Sequence, residues 1–162
     1  MNSQVLLSLG SNTDDPRKQL RMAIDQLGNI PDTVIVKCSS IYDTSAWGKT
    51  DQPNFLNMAV ILTTSQTVVG LMQNILSIEE NMGRERIEKW GPRCIDIDIV
   101  LFGETIHKDE FVTVPHPHVQ DRRFVLEPSR EIASTMIHPI FGKTIEELFA
   151  ICPDTSVPLL IE

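Results

Sequence analysis

Cysteine is scarce in this chain of 162 residues, and its spacing excludes two kinds of site. The three cysteines, Cys38, Cys94 and Cys152, are odd in number and far apart, and no C-x-x-C pair occurs. A disulfide framework needs an even set, and a structural zinc site needs closely spaced thiolates or imidazoles. The sequence therefore predicts neither, and we expect a protein of the reducing cytoplasm.

Long apolar runs and excess positive charge are also missing. No segment approaches the roughly 20 apolar residues that a membrane helix requires, and the first residues are typical of a β-strand rather than a signal peptide. The formal net charge is −8, whereas a nucleic-acid-binding surface needs a basic footprint. We expect one domain spanning residues 1–162 that binds neither membrane nor nucleic acid, as a monomer or a weak homodimer.

The usual glycine-rich phosphate loops, Walker A and G-x-G-x-x-G, do not occur, so any nucleotide must be bound by other groups. Basic residues are instead concentrated, with four of the fourteen Lys and Arg residues inside ten positions: Arg84, Arg86, Lys89 and Arg93. A local basic cluster on an acidic protein suits a small anionic ligand. For Arg86 and Lys89, surface pairing with neighbouring glutamates is an equally good interpretation.

Hydrophobic periodicity predicts strands at 4–9, 33–42, 55–63 and 94–102, the second broken by a bulge around Ser39-Ser40. It predicts helices at 16–28, 67–82, 124–132 and 144–151. Two strand–helix units with a hairpin between them indicate an α+β fold: a ferredoxin-like sandwich with a mostly antiparallel sheet flanked by helices. The loops at 44–53, 84–93 and 115–123 contain the unusual residues, so we expect function to lie there.

Two aspartates alternate with isoleucines in the run from Ile95 to Ile99. Residues two apart in a strand share a face, about 6.6 Å apart at Cα, so Asp96 and Asp98 lie side by side while the isoleucines face the core. Carboxylates without nearby thiolates favour Mg²⁺, and two of them are able to share two ions. A solvated strand face is the alternative. The turn Gly91-Pro92-Arg93 enters this strand directly, and carboxylates beside arginines suit a polyphosphate.

Two phenylalanines lie where a loop meets a predicted element, Phe55 after residues 44–54 and Phe124 after residues 115–123. Such rings are able to sandwich a flat heterocycle, although a core position is the alternative for each. Asn57 shares strand parity with Phe55, and its amide offers donors and an acceptor for a ring edge. His116 lies between prolines, so a hydrogen bond to phosphate or ribose and a simple surface position are both open.

The twelve residues from Lys89 to Val100, K-W-G-P-R-C-I-D-I-D-I-V, resemble the signature of the hydroxymethyl-dihydropterin pyrophosphokinase family of folate biosynthesis. The resemblance continues, in family order, through L-G-S-N at 9–12, D-Q-P at 51–53 with L-N at 56–57, and V-P-H at 114–116 with R-R-F at 122–124. It implies that the hydroxymethyl oxygen of a reduced pterin attacks the β-phosphorus of ATP and that AMP leaves.

The resemblance also implies roles for individual residues. Asp96 and Asp98 would hold two Mg²⁺ ions, and the catalytic group would be Arg84, Arg93, Asp96 and Asp98. The residues implied for ATP are Arg84, Trp90, Arg93, His116 and Arg122. The residues implied for the pterin are Thr44, Phe55, Asn57, Asp96 and Phe124. Trp47 and Trp90 would belong to loops that close over the substrates.

The sequence departs from the family pattern at several positions. The segment from Arg84 to Trp90 is one residue shorter than in the best-known members, and Ile87 or Glu88 stands where a lysine is expected. Phe55 replaces a tyrosine, which keeps the stacking surface and removes a hydroxyl. Two alternatives also remain at this point: another metal-dependent nucleotidyl- or glycosyltransferase that uses the D-x-D pair, and a non-catalytic nucleotide-binding module.

Overall fold

A computed structural model describes residues 2–44, 55–83 and 94–162. Its longer strands are β1 (Ser3–Ser11), β2 (Thr33–Cys38), β4 (Leu56–Thr64) and β5 (Asp96–Phe102). Its two-residue strands are β3 (Tyr42–Asp43), β6 (His107–Lys108), β7 (Thr113–Val114), β8 (Ile137–His138), β9 (Lys143–Thr144) and β10 (Leu159–Leu160). Its α-helices are α1 (Pro16–Gly28), α2 (Val68–Met82), α3 (Arg123–Ala133) and α4 (Ile145–Ile151), and a 3-10 helix covers Val119–Asp121.

The main sheet is antiparallel at every pairing, in the order β10-β3-β4-β1-β5, with β2 beside β3 on the same edge of β4. The chain order β1-α1-β2-β4-α2-β5 contains the two strand–helix units of a ferredoxin-like fold, so the predicted fold class is confirmed. The predicted break in the strand 33–42 separates it into two strands, β2 and β3, although the backbone N–H of Ser39 still donates to the carbonyl of Ala59 in β4 at 2.8 Å.

Helix starts follow from local chemistry. Pro16 occupies the first turn of α1, where its missing N–H costs nothing, and Asp15 accepts a hydrogen bond from the backbone N–H of Lys18. The side chain of Thr67 accepts from Gly70 N at the start of α2. Thr144 and Glu147 form a capping box at the start of α4. The predicted helices are therefore confirmed with ends shifted by one residue at most.

Helices cover both faces of the sheet, and alternation along β1 divides its side chains between two cores. Val5, Leu7 and Leu9 are fully buried in the larger core, which α1 and α2 cover. Leu6 is buried on the other face with residues of α3 and α4. Within the described ranges, no helix is long and apolar enough to span a membrane.

The face under α3 changes from apolar to polar along the strands. Leu6 of β1 is opposite Ile61 and Leu101, whereas Ser8 is opposite Ala59 and Asp98. Gly10, two residues further, is opposite Asn57 and Asp96. This polar end is where β1 ends and where β4 and β5 begin, and in the sequence β4 and β5 follow the predicted functional loops 44–53 and 84–93. The fold thus places the candidate residues Asn57, Asp96 and Asp98 toward one end of one face.

Candidate active site

The two aspartates lie as the alternation predicted. Asp96 and Asp98 are half-buried on the face that α3 covers, while Ile95, Ile97 and Ile99 are at most 4% exposed in the larger core. The core therefore sets the rotation of β5 about its axis, and that rotation aims both carboxylates at the same surface.

Glu79 of α2 holds the outer edge of this strand. The backbone N–H between the two aspartates, that of Ile97, donates to Glu79 Oε2 at 2.9 Å. Edge strands present unpaired N–H groups, and a carboxylate is a strong acceptor for one. Sequence reasoning missed this contact, because Glu79 occurs in a helical pattern that says nothing about which strand it reaches.

A row of opposed residues crosses four strands of this face: Asp96 of β5, Gly10 of β1, Asn57 of β4 and Tyr42 of β3. Neighbouring strands are about 4.8 Å apart, so Asp96 and Asn57, two strands apart, are separated by about 10 Å at the backbone. One surface therefore presents carboxylates at one end and a carboxamide at the other.

Gly10 lies between these two ends, at a position where neighbouring side chains leave no space for a Cβ atom. A Cβ atom added there would lie 2.5 Å from Asn57 Oδ1 and 2.5 Å from Cε1 of Phe55. Carbon atoms need about 3.5–4.0 Å between centres, so only glycine leaves room for both groups. Phe55 and Asn57 therefore approach the same point over β1, as their shared strand parity predicted.

Asn57 and Thr44 are joined directly. Asn57 Nδ2 donates to Thr44 Oγ1, and the backbone N–H and hydroxyl of Thr44 both donate to the carbonyl oxygen of Phe55, at 2.8 and 3.2 Å. Asn57 is only 2% exposed, so the entropy of ordering its amide is lost on folding and not again when a ligand binds. A carboxamide has two donors and an acceptor, and this network uses one donor.

Phe124 and Thr44 line a cavity of about 350 Å³, a size typical of a small-ligand site. Its other described lining residues are Asp43, Asp154, Ser156, Val157, Pro158 and Leu159. Thr44 therefore lines the same cavity as Phe124 and is hydrogen-bonded to the Phe55 carbonyl. Phe55 is not among the described residues that line the cavity. The residues after position 153 were not singled out from the sequence.

His116 lies near the aspartates and is oriented by backbone contacts. Its backbone N–H donates to the backbone carbonyl of Val100 at 3.0 Å, and its ring atom Nδ1 accepts a hydrogen bond from the backbone N–H of His118 at 3.2 Å. In the neutral ring the proton is therefore on Nε2. Burial lowers the pKa of His116, the Asp98 carboxylate opposes that shift, and the charge of Arg122 adds to it. His116 therefore presents an N–H donor near Asp98.

The two adjacent arginines have different surroundings. Arg122 lies close enough to His116 to lower its pKa, and its guanidinium carbon is 5.7 Å from the ring centroid of Phe124. Arg123 instead donates its backbone N–H to Asp154 Oδ2 at 3.0 Å, and its guanidinium carbon is 4.4 Å from the ring centroid of Phe149. Arg122 is therefore the arginine that belongs to the candidate site.

Several residues singled out from the sequence lie outside the described residues: Trp47, Arg84, Arg86, Lys89, Trp90 and Arg93. Among the residues that are described, no three His, Cys, Asp or Glu side chains form a group able to hold a metal by themselves. The two aspartates nevertheless fit Mg²⁺, which is commonly bound by one or two carboxylates together with substrate phosphates and water.

Comparison with known proteins finds closely related sequences over most of the chain. The sequence model of the family described as 7,8-dihydro-6-hydroxymethylpterin-pyrophosphokinase (HPPK) matches residues 6–134. The 2-amino-4-hydroxy-6-hydroxymethyldihydropteridine pyrophosphokinase of Pseudomonas aeruginosa is 39% identical over 160 residues, which cover 99% of this chain and 98% of that protein. The enzyme of the same name from Methylorubrum extorquens is 41% identical over 148 residues, which cover 91% of this chain and 92% of that protein.

Solved structures show the same fold in a longer polypeptide. A crystal structure of Plasmodium falciparum HPPK-DHPS, a triple mutant with STZ-DHP, has a TM-score of 0.73 at 16% identity. The match covers 93% of this chain and 43% of that one, so the present chain spans less than half of the longer protein. Together, the match to the family model and the two near-full-length relatives show that the chain belongs to the 7,8-dihydro-6-hydroxymethylpterin-pyrophosphokinase family.

Proposed function

We propose that the polar end of the sheet, from Asp96 and Asp98 to Asn57, is where this chain transfers pyrophosphate. The chain is an ATP-dependent pyrophosphokinase of folate biosynthesis. It moves the terminal two phosphates of ATP to the hydroxymethyl group of 6-hydroxymethyl-7,8-dihydropterin and releases AMP. In this reaction the hydroxymethyl oxygen bonds to the β-phosphorus, the bond from that phosphorus to the oxygen bridging it to the α-phosphorus breaks, and the hydroxyl proton is released.

One observation carries the proposal: Asp96, which shares its face of β5 with Asp98, and Asn57 lie on opposite sides of Gly10 in one row of the sheet. Their backbone separation of about 10 Å allows a flat acceptor to lie over Gly10. The carboxamide end then reads the heterocycle, and the reactive hydroxymethyl group points to the carboxylate end. Positioning of this kind supplies much of the barrier reduction in a two-substrate transfer.

At the acceptor end, Thr44 and Asn57 offer hydrogen bonds to the edge of the pterin, and Phe55 and Phe124 offer aromatic faces. Both rings are half-buried, so each retains an exposed surface for stacking. The joined hydrogen bonds of Asn57, Thr44 and the Phe55 carbonyl support this role, because they hold the polar groups in place before substrate binds.

At the donor end, we assign the triphosphate to Arg122 and the Nε2–H of His116, together with Arg84, Trp90 and Arg93. Asp96 and Asp98 would hold Mg²⁺, two ions in this proposal, which when bound neutralise phosphate charge. No side chain is assigned as general base, because alignment and electrostatic stabilisation supply most of the catalysis in phosphoryl transfer.

The proposal extends to the setting of the enzyme. Residues 1–162 form one pyrophosphokinase domain that acts in the cytoplasm as a monomer or weak homodimer and binds neither nucleic acid nor membrane. The three cysteines are free thiols, which suits a reducing compartment. The net charge of −8 disfavours a nucleic-acid partner.

The adjacent arginines provide a matched test of the donor end. We expect Arg122→Ala to raise the KM for ATP by about tenfold or more, since a charge-assisted hydrogen bond contributes about 1.5–3 kcal/mol. Arg123→Ala should leave that KM within about twofold and lower the melting temperature instead, because Arg123 contacts Asp154 and Phe149. Steady-state kinetics and thermal unfolding of both variants make the measurement. Equal effects of the two on ATP would contradict the assignment of Arg122.

A further inference from the structure

The cavity beside Thr44 and Phe124 has one side formed by a segment that the proposed mechanism does not use. We name residues 154–159 the C-terminal wall. Five of the eight described residues that line the cavity belong to it: Asp154, Ser156, Val157, Pro158 and Leu159. Pro158 is buried, and Ser156 is half-buried. The wall therefore contributes more of the described lining than the segment that contains Thr44 or the helix that contains Phe124.

Asp154 fastens the wall to the start of α3. Its Oδ2 accepts the backbone N–H of Arg123 at 3.0 Å, its Oδ1 accepts that of Ser156 at 2.9 Å, and its carbonyl accepts from the Arg123 guanidinium at 3.3 Å. Partial burial raises the pKa of Asp154, but hydrogen bonds from the side chain and backbone of Ser156 and from the backbone of Arg123, with the Arg123 charge, outweigh it and hold the pKa below its ordinary value. The ionised carboxylate also lies at the positive end of the helix dipole. Phe124 is the next residue of that helix.

The other end of the wall is fastened to β3. Leu159 is paired with Asp43 and Leu160 with Tyr42 in the antiparallel β10–β3 ladder. The pairing continues through Ile41, whose N–H donates to the carbonyl of Glu162 at 2.9 Å. Thr44 directly follows β3, so the wall bridges the backbone that carries Thr44 and the helix that carries Phe124.

A second link between β3 and α3 lies further along the helix. The Tyr42 hydroxyl donates to Glu131 Oε1 at 2.6 Å, and burial together with this carboxylate raises the pKa of Tyr42. Glu131 is two turns beyond Phe124, so this contact fixes the helix at one end only. The C-terminal wall supplies the second point of attachment at the other end, beside the cavity.

From these contacts we infer that the C-terminal wall is a positioning and specificity element of the pterin site: it sets the separation of Phe124 from Thr44 and closes one side of the acceptor cavity. The inference rests on the proposed placement of the pterin. It assigns no chemical step to the wall, and it predicts that changes to the wall residues that line the cavity alter pterin binding and leave ATP binding unchanged.

The test uses the full chain and two kinds of variant. Asp154→Ala removes both side-chain acceptors that fasten the wall, and Ser156→Phe places bulk into the cavity. Thr155→Ala is the matched control, because Thr155 is an exposed residue of the same segment outside the described lining. Calorimetry would measure binding of 6-hydroxymethylpterin in the presence of Mg²⁺ and α,β-methylene-ATP, in which the reacting bridge cannot be cleaved. Binding of the ATP analogue alone is measured in parallel.

We expect Asp154→Ala and Ser156→Phe each to weaken pterin binding by about tenfold or more, with binding of the ATP analogue and the Thr155→Ala control within about twofold of the parent. Asp154→Asn, which keeps one acceptor, should fall between parent and Asp154→Ala. If Ser156→Phe has the parent melting temperature and binds pterin normally while Phe124→Ala does not, the wall plays no part in the site. If Phe124→Ala also binds pterin normally, the proposed pterin site itself is wrong.

Discussion

Replacing Asp98 with alanine is expected to lower turnover by at least about 100-fold without unfolding the protein. Asp98 shares its face of β5 with Asp96 and lies near His116, so its removal takes away one of two carboxylates proposed to hold Mg²⁺ where phosphate charge develops. The fold should be unharmed, because removing one of two neighbouring like charges relieves repulsion.

Steady-state kinetics at several Mg²⁺ concentrations and thermal unfolding would check this prediction. Asp25→Ala is the matched control: Asp25 is exposed on α1, across the sheet from the site, and its loss should leave kcat and the dependence on Mg²⁺ unchanged. Asp98→Ala that keeps more than about a tenth of parental turnover would remove Asp98 from the metal assignment.

Replacing Gly10 with alanine is expected to raise the KM for the pterin by about tenfold or more while changing the KM for ATP little. The added methyl group would meet Asn57 Oδ1 and the Phe55 ring, each at 2.5 Å, and both are ends of side chains able to turn away. Moving them displaces the groups proposed to read and stack the pterin. The backbone at Gly10 does not occupy the left-handed region, so alanine is conformationally acceptable there.

Gly28→Ala separates this effect from glycine replacement in general. A Cβ at Gly28 would meet only Cγ1 of Ile35 within 4 Å, at 3.7 Å, which is ordinary contact. This variant should bind both substrates normally and be at least as stable as the parent, since alanine favours a helix more than glycine does. A Gly10→Ala enzyme with the parental KM for pterin would show that Phe55 and Asn57 do not hold that substrate.

Predictions from the sequence were accurate where the pattern is local. Strict alternation around Asp96 and Asp98 predicted which side chains share a face, because a strand with one buried face has only one rotation that buries its isoleucines. The same reasoning brought Phe55 and Asn57 together. The helices were predicted because their caps and apolar repeats lie within the segments themselves.

What the sequence could not predict depends on contacts between distant segments. The pairing of Leu159 with Asp43 joins residues more than a hundred positions apart, and a two-residue strand has no periodicity to reveal it. The contact between Glu79 and the backbone N–H of Ile97 is of the same kind. The different surroundings of Arg122 and Arg123, adjacent in sequence, also become visible only once α3 and residue 154 are placed in space.

Product analysis tests the central claim most directly. The chain is incubated with Mg²⁺, ATP and 6-hydroxymethyl-7,8-dihydropterin, and the products are identified by phosphorus NMR and mass spectrometry. We expect AMP and the pterin diphosphate in equal amounts, with neither formed by Asp98→Ala at comparable rates. Formation of ADP and a pterin monophosphate would contradict pyrophosphate transfer, and parental rates of AMP formation by Asp98→Ala would contradict the assignment of Asp98 to the metal site.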